Sequence, residues 1–519
     1  MQRFVTRHRS LVTSVLSGFD RLVFRGTLIP LVRDGGMYTL LKRAGVQLLD
    51  FKPFVQRTSE RVKQASLVEA RGTRRPVRYI ESSQLSKEDL AHRLLREHPV
   101  ERGLICAMTA VEPCMSFEYH RSQDRQERGL KLRPRKCLHI YKYYLHPLFG
   151  FINARIQTWF PFNIQICLNG REWLARRLAR RHRSGFERAD NCFTRLADPK
   201  LAQRLMDEQL ETNWAEELTV IARRLNPLHE EIFEPWPQDY YWSTYQSEWA
   251  TDLLFESPEA LASIYPALVR HATLHFASPD VMRFLGRKGV HGRFEGELTS
   301  SFKRRCEGVR VKHWIHGNSI KMYDKAGCVL RVETTIAKTN DFKVLRPLQD
   351  DPKGKLDWRP LRKGVADLHR RAQVSQQANE RYLDALAAAS DETPLATILD
   401  QVSNHTSYHG RRVRGLRIGD SEDIEILKAT ARGEFANAGF RNRDIRALLL
   451  PSSSAETKQQ QRRAAAKIGR QIRLLRAHGV VQKVQKSHLY RLTDKGRVLA
   501  AALFAVRGAS IKQLLANAA

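Results

Sequence analysis

The chain has 519 residues, room for three or four domains at about 150 residues each. Lys and Arg number 88 against 55 Asp and Glu, a net charge of +33, while 42% of residues are hydrophobic. That balance excludes a disordered basic tail and points to a folded protein with a polyanionic partner, because surplus Lys and Arg neutralise phosphate.

Other features narrow the class. The first 22 residues are interrupted by Arg3, Arg7, His8, Arg9, Asp20 and Arg21, so no signal-peptide apolar core is expected. The apolar stretch 145–168 contains His146, Asn153, Arg155, Gln157 and Asn163 and does not read as a membrane span. Seven widely spaced cysteines (106, 114, 137, 167, 192, 306 and 328) include no C-x-x-C pair. This predicts a reducing, cytoplasmic and nucleoid-associated setting, without zinc ribbon or disulfide framework.

In chain order, Leu11, Val12, Val15, Leu16, Phe19, Leu22 and Val23 have helical spacing and predict a helix over 11–24. Residues 103–111 and 138–144 read as strands, and 162–168 alternates with period two. A basic amphipathic helix follows over 170–182. Residues 1–195 are therefore expected to form an N-terminal basic α/β domain. Residues 199–285 read as mainly helical, broken at Pro227, Pro235 and Pro237. Strands are predicted over 294–302, 309–315, 319–323 and 329–336, with Gly308, Gly317 and Gly327 in turns. A long helix over 361–389 closes this central domain, 196–390, helical plus antiparallel sheet. Residues 391–519 are expected to be a helical linker and a C-terminal module, for an overall α+β, multidomain fold.

From Asp420 the predicted order is three helices, a two-stranded ribbon and a helix. Asn442 is expected to cap the second helix, and Ser453 with Glu456 to form a capping box for a third running to His478. Gly479 sits where a C′ glycine belongs. Ile468, Ile472 and Leu475 share one face, with Arg463, Lys467, Arg470 and Arg473 on the other side. The segment IRLLRAHGVVQKVQKSHLYRLTDKGR resembles a winged helix-turn-helix of the MarR type. The resemblance implies that the third helix enters the major groove and the wing meets phosphates or the minor groove. Arg463, Lys467, Arg470, Arg473 and Arg476 would then contact nucleic acid from the helix, and Lys483, Lys486, His488 and Arg491 from the wing. A merely solvated basic face is the plainer alternative.

The segment GNSIKMYDK (317–325) followed by LRVE (330–333) resembles a core motif of rolling-circle replication initiators of the plasmid Rep and filamentous-phage nickase kind. It implies Tyr323 as nucleophile, Glu333 as metal or acid/base carboxylate, and Lys325 and Arg331 steadying the phosphate. The same residues also fit a β-hairpin with a cross-strand Lys–Glu pair and a packed tyrosine. Glu248 and Asp252, read on one helix face, have a spacing that suits a hard cation such as Mg²⁺. With Glu333 they would form a three-carboxylate site. Asp20, in the segment FDRLVFRG, reads as a structural ion-pair partner. The aromatics Tyr240, Tyr241, Trp242 and Tyr245 suit base stacking or core packing. No phosphate-binding Gly-x-x-x-x-Gly-Lys loop, Gly-x-Ser-x-Gly elbow or His-Glu-x-x-His occurs.

As a whole the chain resembles a widespread bacterial group often labelled MarR-type for its C-terminal winged helix. The leading expectation is a nucleic-acid-binding protein of a mobile element or replicon that targets a site and processes a strand with a metal. DNA is the favoured partner. A non-catalytic transcription regulator and a component that binds structured RNA remain open.

Overall fold

Val12–Thr27 is a strand, β1, and not the helix its spacing predicts. Its near-continuous run of buried residues belongs to a central strand covered on both faces, and periodicity alone does not separate that pattern from a buried helix. In the computed structural model, the residues described are 1–82, 84–121, 128–181, 185–274, 276, 278–285, 298–304, 309–348, 350–351, 353–355, 357–387, 395–432, 435, 439–450, 457–484 and 487–508. They form a mixed α/β structure built on a large mixed sheet.

The chain divides into two compact units. The larger comprises His8–Ala262 and Phe302–Asn379; the smaller comprises Met1–Arg7, Ser263–Ser301 and Glu380–Ala519. After β1 come β2 (Val77–Tyr79), β3 (Gly103–Arg121), β4 (Arg128–His146), β5 (Gly150–Gln157), β6 (Ile164–Asn169), β7 (Phe186–Ala189) and β8 (Cys192–Leu196). They are followed by β9 (Tyr241–Phe255), β10 (Leu298–Arg304), β11 (Val309–Ile315), β12 (Asn318–Lys325) and β13 (Val329–Ile336). The sheet order is β10-β11-β12-β13-β9-β1-β6-β5-β4-β3-β2, with β7 and β8 a separate hairpin. Residues on both sides of position 195 build this sheet, so the expected 1–195 boundary falls inside one unit.

The central strands β1, β9 and β13 carry different chemistry on their two faces. One face receives the helix Gly170–Ala179. Asn169 caps it, its Oδ1 accepting from the amides of Arg171 and Glu172 at 2.8 and 3.1 Å. Gly170 permits the close approach: a Cβ there would lie 1.9 Å from the Phe19 carbonyl oxygen. The other face is tied to the first part of the helix Leu368–Leu386. Asn379 Nδ2 donates to Trp249 O, Val332 O and Thr251 Oγ1, each at 3.1 Å. Its Oδ1 accepts from Thr334 Oγ1 at 2.7 Å. Arg371, buried as deeply, donates to Ile336 O and Thr244 O at 3.0 Å.

In the smaller unit the helices Ser421–Thr430, Asn442–Leu449 and Lys458–Ala477 precede a ribbon of Val481–Lys483 and Tyr490–Leu492 and the helix Asp494–Gly508. Ile424, Leu427, Ile445, Ile468, Ile472, Leu475, Val480 and Leu499 form its core. The third helix is capped by Thr457 with Gln460, since Thr457 Oγ1 accepts from the Gln460 amide. The predicted box at Ser453 and Glu456 lies outside the described residues. Asn442 does not cap; its Nδ2 donates to Ala465 O at 3.0 Å and joins two helices.

Asn379→Ala strips partners from several buried groups at once. It is expected to cost about 3 kcal/mol, since each stranded polar group costs about 1–3 kcal/mol. A lowered thermal unfolding midpoint with an unchanged circular dichroism spectrum checks this.

Candidate functional site

The face beneath Gly170–Ala179 holds a grid of charged side chains. On β9, Glu248, Ala250 and Asp252 point the same way by the two-residue period of a strand. This corrects the helix expected there, although the four-residue spacing still leaves both carboxylates on one face. On β13, Arg331 lies opposite Asp252 and Glu333 opposite Ala250. On β12, Lys321 lies opposite Glu333 and Tyr323 opposite Arg331. Asp20 enters from β1 through a β-bulge: Phe19 pairs with Trp249 and Arg21 with Glu248, leaving Asp20 extra between them. Bulges re-aim side chains in this manner.

Arg331 is the hub. Its Nε and Nη2 grip Asp252 at 2.5 and 2.8 Å, and Nη1 reaches Asp20 Oδ1 at 2.8 Å. Nη2 also donates to Asn191 O at 2.9 Å, on the turn between β7 and β8. Arg171 Nη2 adds a contact to Asp252 Oδ2 at 2.9 Å. Beside this network Asp20, Glu248 and Glu333 each bring a carboxylate oxygen to within 4.8 Å of the others. The contacts of Asp20 fall on Oδ1, which also accepts from Asn191 Nδ2 at 2.9 Å, and Glu248 uses Oε1 to accept from Gln246. Among the described residues, that leaves Asp20 Oδ2 and Glu248 Oε2 for a ligand. Glu333 Oε2 accepts from Tyr323 OH at 2.9 Å, and Lys321 Nζ lies 2.6 Å from Oε1, off hydrogen-bond angles.

The carboxyls titrate differently. Burial pushes Asp20 and Glu333 above their ordinary ranges despite their cationic neighbours. Asp252 feels burial too, but Arg171 and Arg331 outweigh it and hold it below 3.8. Tyr323 is raised well above 10, first by burial and then by the charge of Glu333. Burial works against the Arg331 charge, but the carboxylates of Asp20 and Asp252 outweigh it and hold the guanidinium above its ordinary range. Three carboxylates thus converge, one of them, Asp20, fixed by the Arg331 guanidinium.

The residues expected from sequence separate accordingly. Glu333 and Glu248 come together, and Asp20 joins them where a structural ion pair was expected; Asp20 also makes that pair, with Arg331. Asp252 is locked between two arginines and is not positioned as a metal ligand. Tyr323 is buried and donates to Glu333, so it is not an ionised nucleophile. Arg331 is fully buried and engaged, which removes it as a phosphate contact. Lys325 pairs with Asp190 at 2.7 Å. The cross-strand Lys321–Glu333 pair and the packed tyrosine match the plainer hairpin reading. What the sequence did not signal was the bulge at Asp20, because nothing in the period of β1 marks it.

In the smaller unit Arg463, Arg470, Arg473, Lys483, His488 and Arg491 are exposed. Lys467 Nζ instead pairs with Glu422 at 2.7 Å. Arg476 lies over the rings of Tyr408 and Tyr490, 5.6 and 5.8 Å from their centroids, an internal cation–π role. Lys486 lies outside the described residues. Tyr240 and Trp242 are core, whereas Tyr241 and Tyr245 are half exposed.

A second constellation joins Cys114 on β3 to Cys137 and His139 on β4, with ligand atoms within 4.8 Å of one another. Burial holds the His139 imidazole below 6.5, hence neutral near pH 7. Among the described residues no helix is long and apolar enough to cross a membrane. No family model, curated protein or solved structure matches the chain.

Asp252→Asn leaves Arg331 and Arg171 without their shared carboxylate and is expected to cost about 3–5 kcal/mol. Because the folded carboxyl is held below 3.8, its contribution is complete above that value and is lost as pH falls through the folded pKa. The gap between variant and wild type in urea unfolding should therefore narrow on acidification below about 3.8.

Proposed function

We propose that the chain is a nucleic-acid-binding protein that processes a strand at Asp20, Glu248 and Glu333 with a divalent cation, Mg²⁺ fitting the all-oxygen donor set. The observation that carries this reading is the meeting of three carboxylates from three adjacent strands, with Asp20 Oδ2 and Glu248 Oε2 left for a ligand. The net charge of +33 supports a polyanionic substrate. A bound cation supplies polarisation of a phosphoryl oxygen and a lowered water pKa. Arg331 fixes the Asp20 side chain, Tyr323 orients Glu333, and Lys321 offers positive charge beside them. Strand scission would then proceed by attack of water, not of Tyr323, whose hydroxyl is held as a donor to Glu333.

The C-terminal order of three helices, ribbon and helix supports a winged-helix reading, with Arg463, Arg470, Arg473, Lys483, His488 and Arg491 as its contact set. One observation favours a second reading, a non-catalytic regulator: Arg331 and Arg171 already compensate Asp252 and half of Asp20, as a structural ion network would.

Incubation with single-stranded and supercoiled DNA and with structured RNA, each with Mg²⁺ or EDTA, separates the readings. Asp20→Asn, Glu248→Gln and Glu333→Gln are expected to lower metal-dependent cleavage about 1,000-fold, equivalent to about 4 kcal/mol of lost transition-state stabilisation. Tyr323→Phe should stay within about tenfold of wild type, since only an orienting hydrogen bond is lost. Metal-independent binding without cleavage of any substrate would favour the regulator. For binding, replacing Arg470 and Arg473 by Ala should lower the slope of log K against log salt by about 2, at roughly 0.9 per duplex phosphate. An unchanged slope would remove the third helix from the interface.

A further inference from the structure

The face of the β3–β4 pair that carries Cys114 is built independently of the carboxylate centre. Glu112 lies opposite Cys137 and Cys114 opposite Arg135, which makes the two cysteines diagonal neighbours on one face. His139, two residues beyond Cys137 on the same strand, shares that face. The two sulfurs are 2.9 Å apart. Cys137 and His139 are buried and Cys114 is half-buried. His139 Nδ1 lies 3.2 Å from the Cys137 carbonyl oxygen, the kind of contact that orients a ligating imidazole. Ser116, two residues beyond Cys114 on its strand, is fully buried, and its Oγ has no hydrogen bond of good geometry.

Two chemistries suit a close thiol pair, and the strand geometry together with the third donor, His139, favours one of them. Diagonal neighbours in an antiparallel pair lie about 7–8 Å apart at Cα, beyond the roughly 7 Å at which a disulfide closes without backbone movement. Thiolates on a tetrahedral ion with bonds of about 2.3 Å stand about 3.8 Å apart. Diagonal cysteines reach that spacing by a small side-chain rotation, and the buried imidazole beside them has no part in a disulfide. We propose that Cys114, Cys137 and His139 bind one zinc ion, with the fourth position open to water or to Ser116. Borderline-soft S₂N donation suits Zn²⁺ and not Mg²⁺.

The position of the site says what the ion would do. Strand β4 pairs with β5 only from His139 to His146. Among the described residues, the N-terminal end of β4 has β3 alone as a strand neighbour, in a ribbon carrying exposed Lys131, Arg133 and Lys136. The three ligands sit at the fork where this ribbon leaves the three-strand region, so the ion would fasten the fork.

The test uses the full, reduced, metal-free chain titrated with Co²⁺. One equivalent is expected to give a thiolate-to-cobalt charge-transfer band that Zn²⁺ abolishes. The band should vanish in Cys114→Ser and Cys137→Ser, weaken in His139→Gln, and persist in Asp20→Asn and Glu333→Gln. Thiol counting keeps the question open to refutation should a cysteine variant fail to fold. In the wild type, Zn²⁺ should protect two of the seven cysteines from a thiol reagent, and a chelator should expose them again. Absence of both the band and the protection would overturn the proposal. Isolation of a Cys114–Cys137 disulfide that forms in air and excludes Co²⁺ would overturn it as well.

Discussion

A guanidinium with no access to water organises the centre of the larger unit. Burying Arg331 is costly unless nearly every donor finds an acceptor, and the chain meets that demand from three separate segments. Asp252 on β9 takes the planar fork, Asp20 on β1 takes the third nitrogen, and Asn191 gives a backbone carbonyl from the β7–β8 turn. These contacts specify register. Sliding β13 by one residue against β9 would turn Arg331 to the opposite face, where Trp249, Thr251 and Asn379 offer no carboxylate.

The same constraint accounts for the bulge. A regular β1 would direct the residue opposite Glu248 according to strict alternation, and Asp20 would have no extra freedom. The inserted residue lets Asp20 touch Arg331 through Oδ1 while its carboxylate also lies beside those of Glu248 and Glu333. Ala250 lies opposite Glu333 on β9, and its small side chain leaves room between Glu248 and Asp252 for the Glu333 carboxylate. Structural ion pairing and carboxylate convergence meet at Asp20, which Arg331 holds in place.

Much of the antiparallel sheet was legible in the sequence, because 309–315, 319–323 and 329–336 combine strand formers with glycine turns. The C-terminal order of elements was legible from apolar spacing and from Gly479 after the third helix, although the expected caps did not fall where predicted. The central strands were not. β1 is apolar on both faces and mimics helical spacing, and β9 reads as helix because Glu248 and Asp252 are four apart, a spacing that puts residues on one side in both helix and strand. Individual site residues were legible by type, whereas their roles depended on partners. Arg331 resembled a phosphate ligand until its neighbours were two buried carboxylates and a carbonyl. The pairing of Cys114 with Cys137 was invisible because 22 residues separate them, and only the β3–β4 register brings them together.

Donor chemistry keeps the two candidate metal sites distinct on one chain. Asp20, Glu248 and Glu333 supply oxygen alone, and burial raises Asp20 and Glu333 above their ordinary ranges. Cys114, Cys137 and His139 supply sulfur and nitrogen, which bind Zn²⁺ strongly and Mg²⁺ hardly at all. A cell offers far more Mg²⁺ than free Zn²⁺, so affinity at the sulfur site and abundance at the oxygen site act in different directions. If both sites bind as proposed, they would fill without exchange, a sulfur-bound Zn²⁺ at the fork of the sheet and an oxygen-bound Mg²⁺ among the carboxylates.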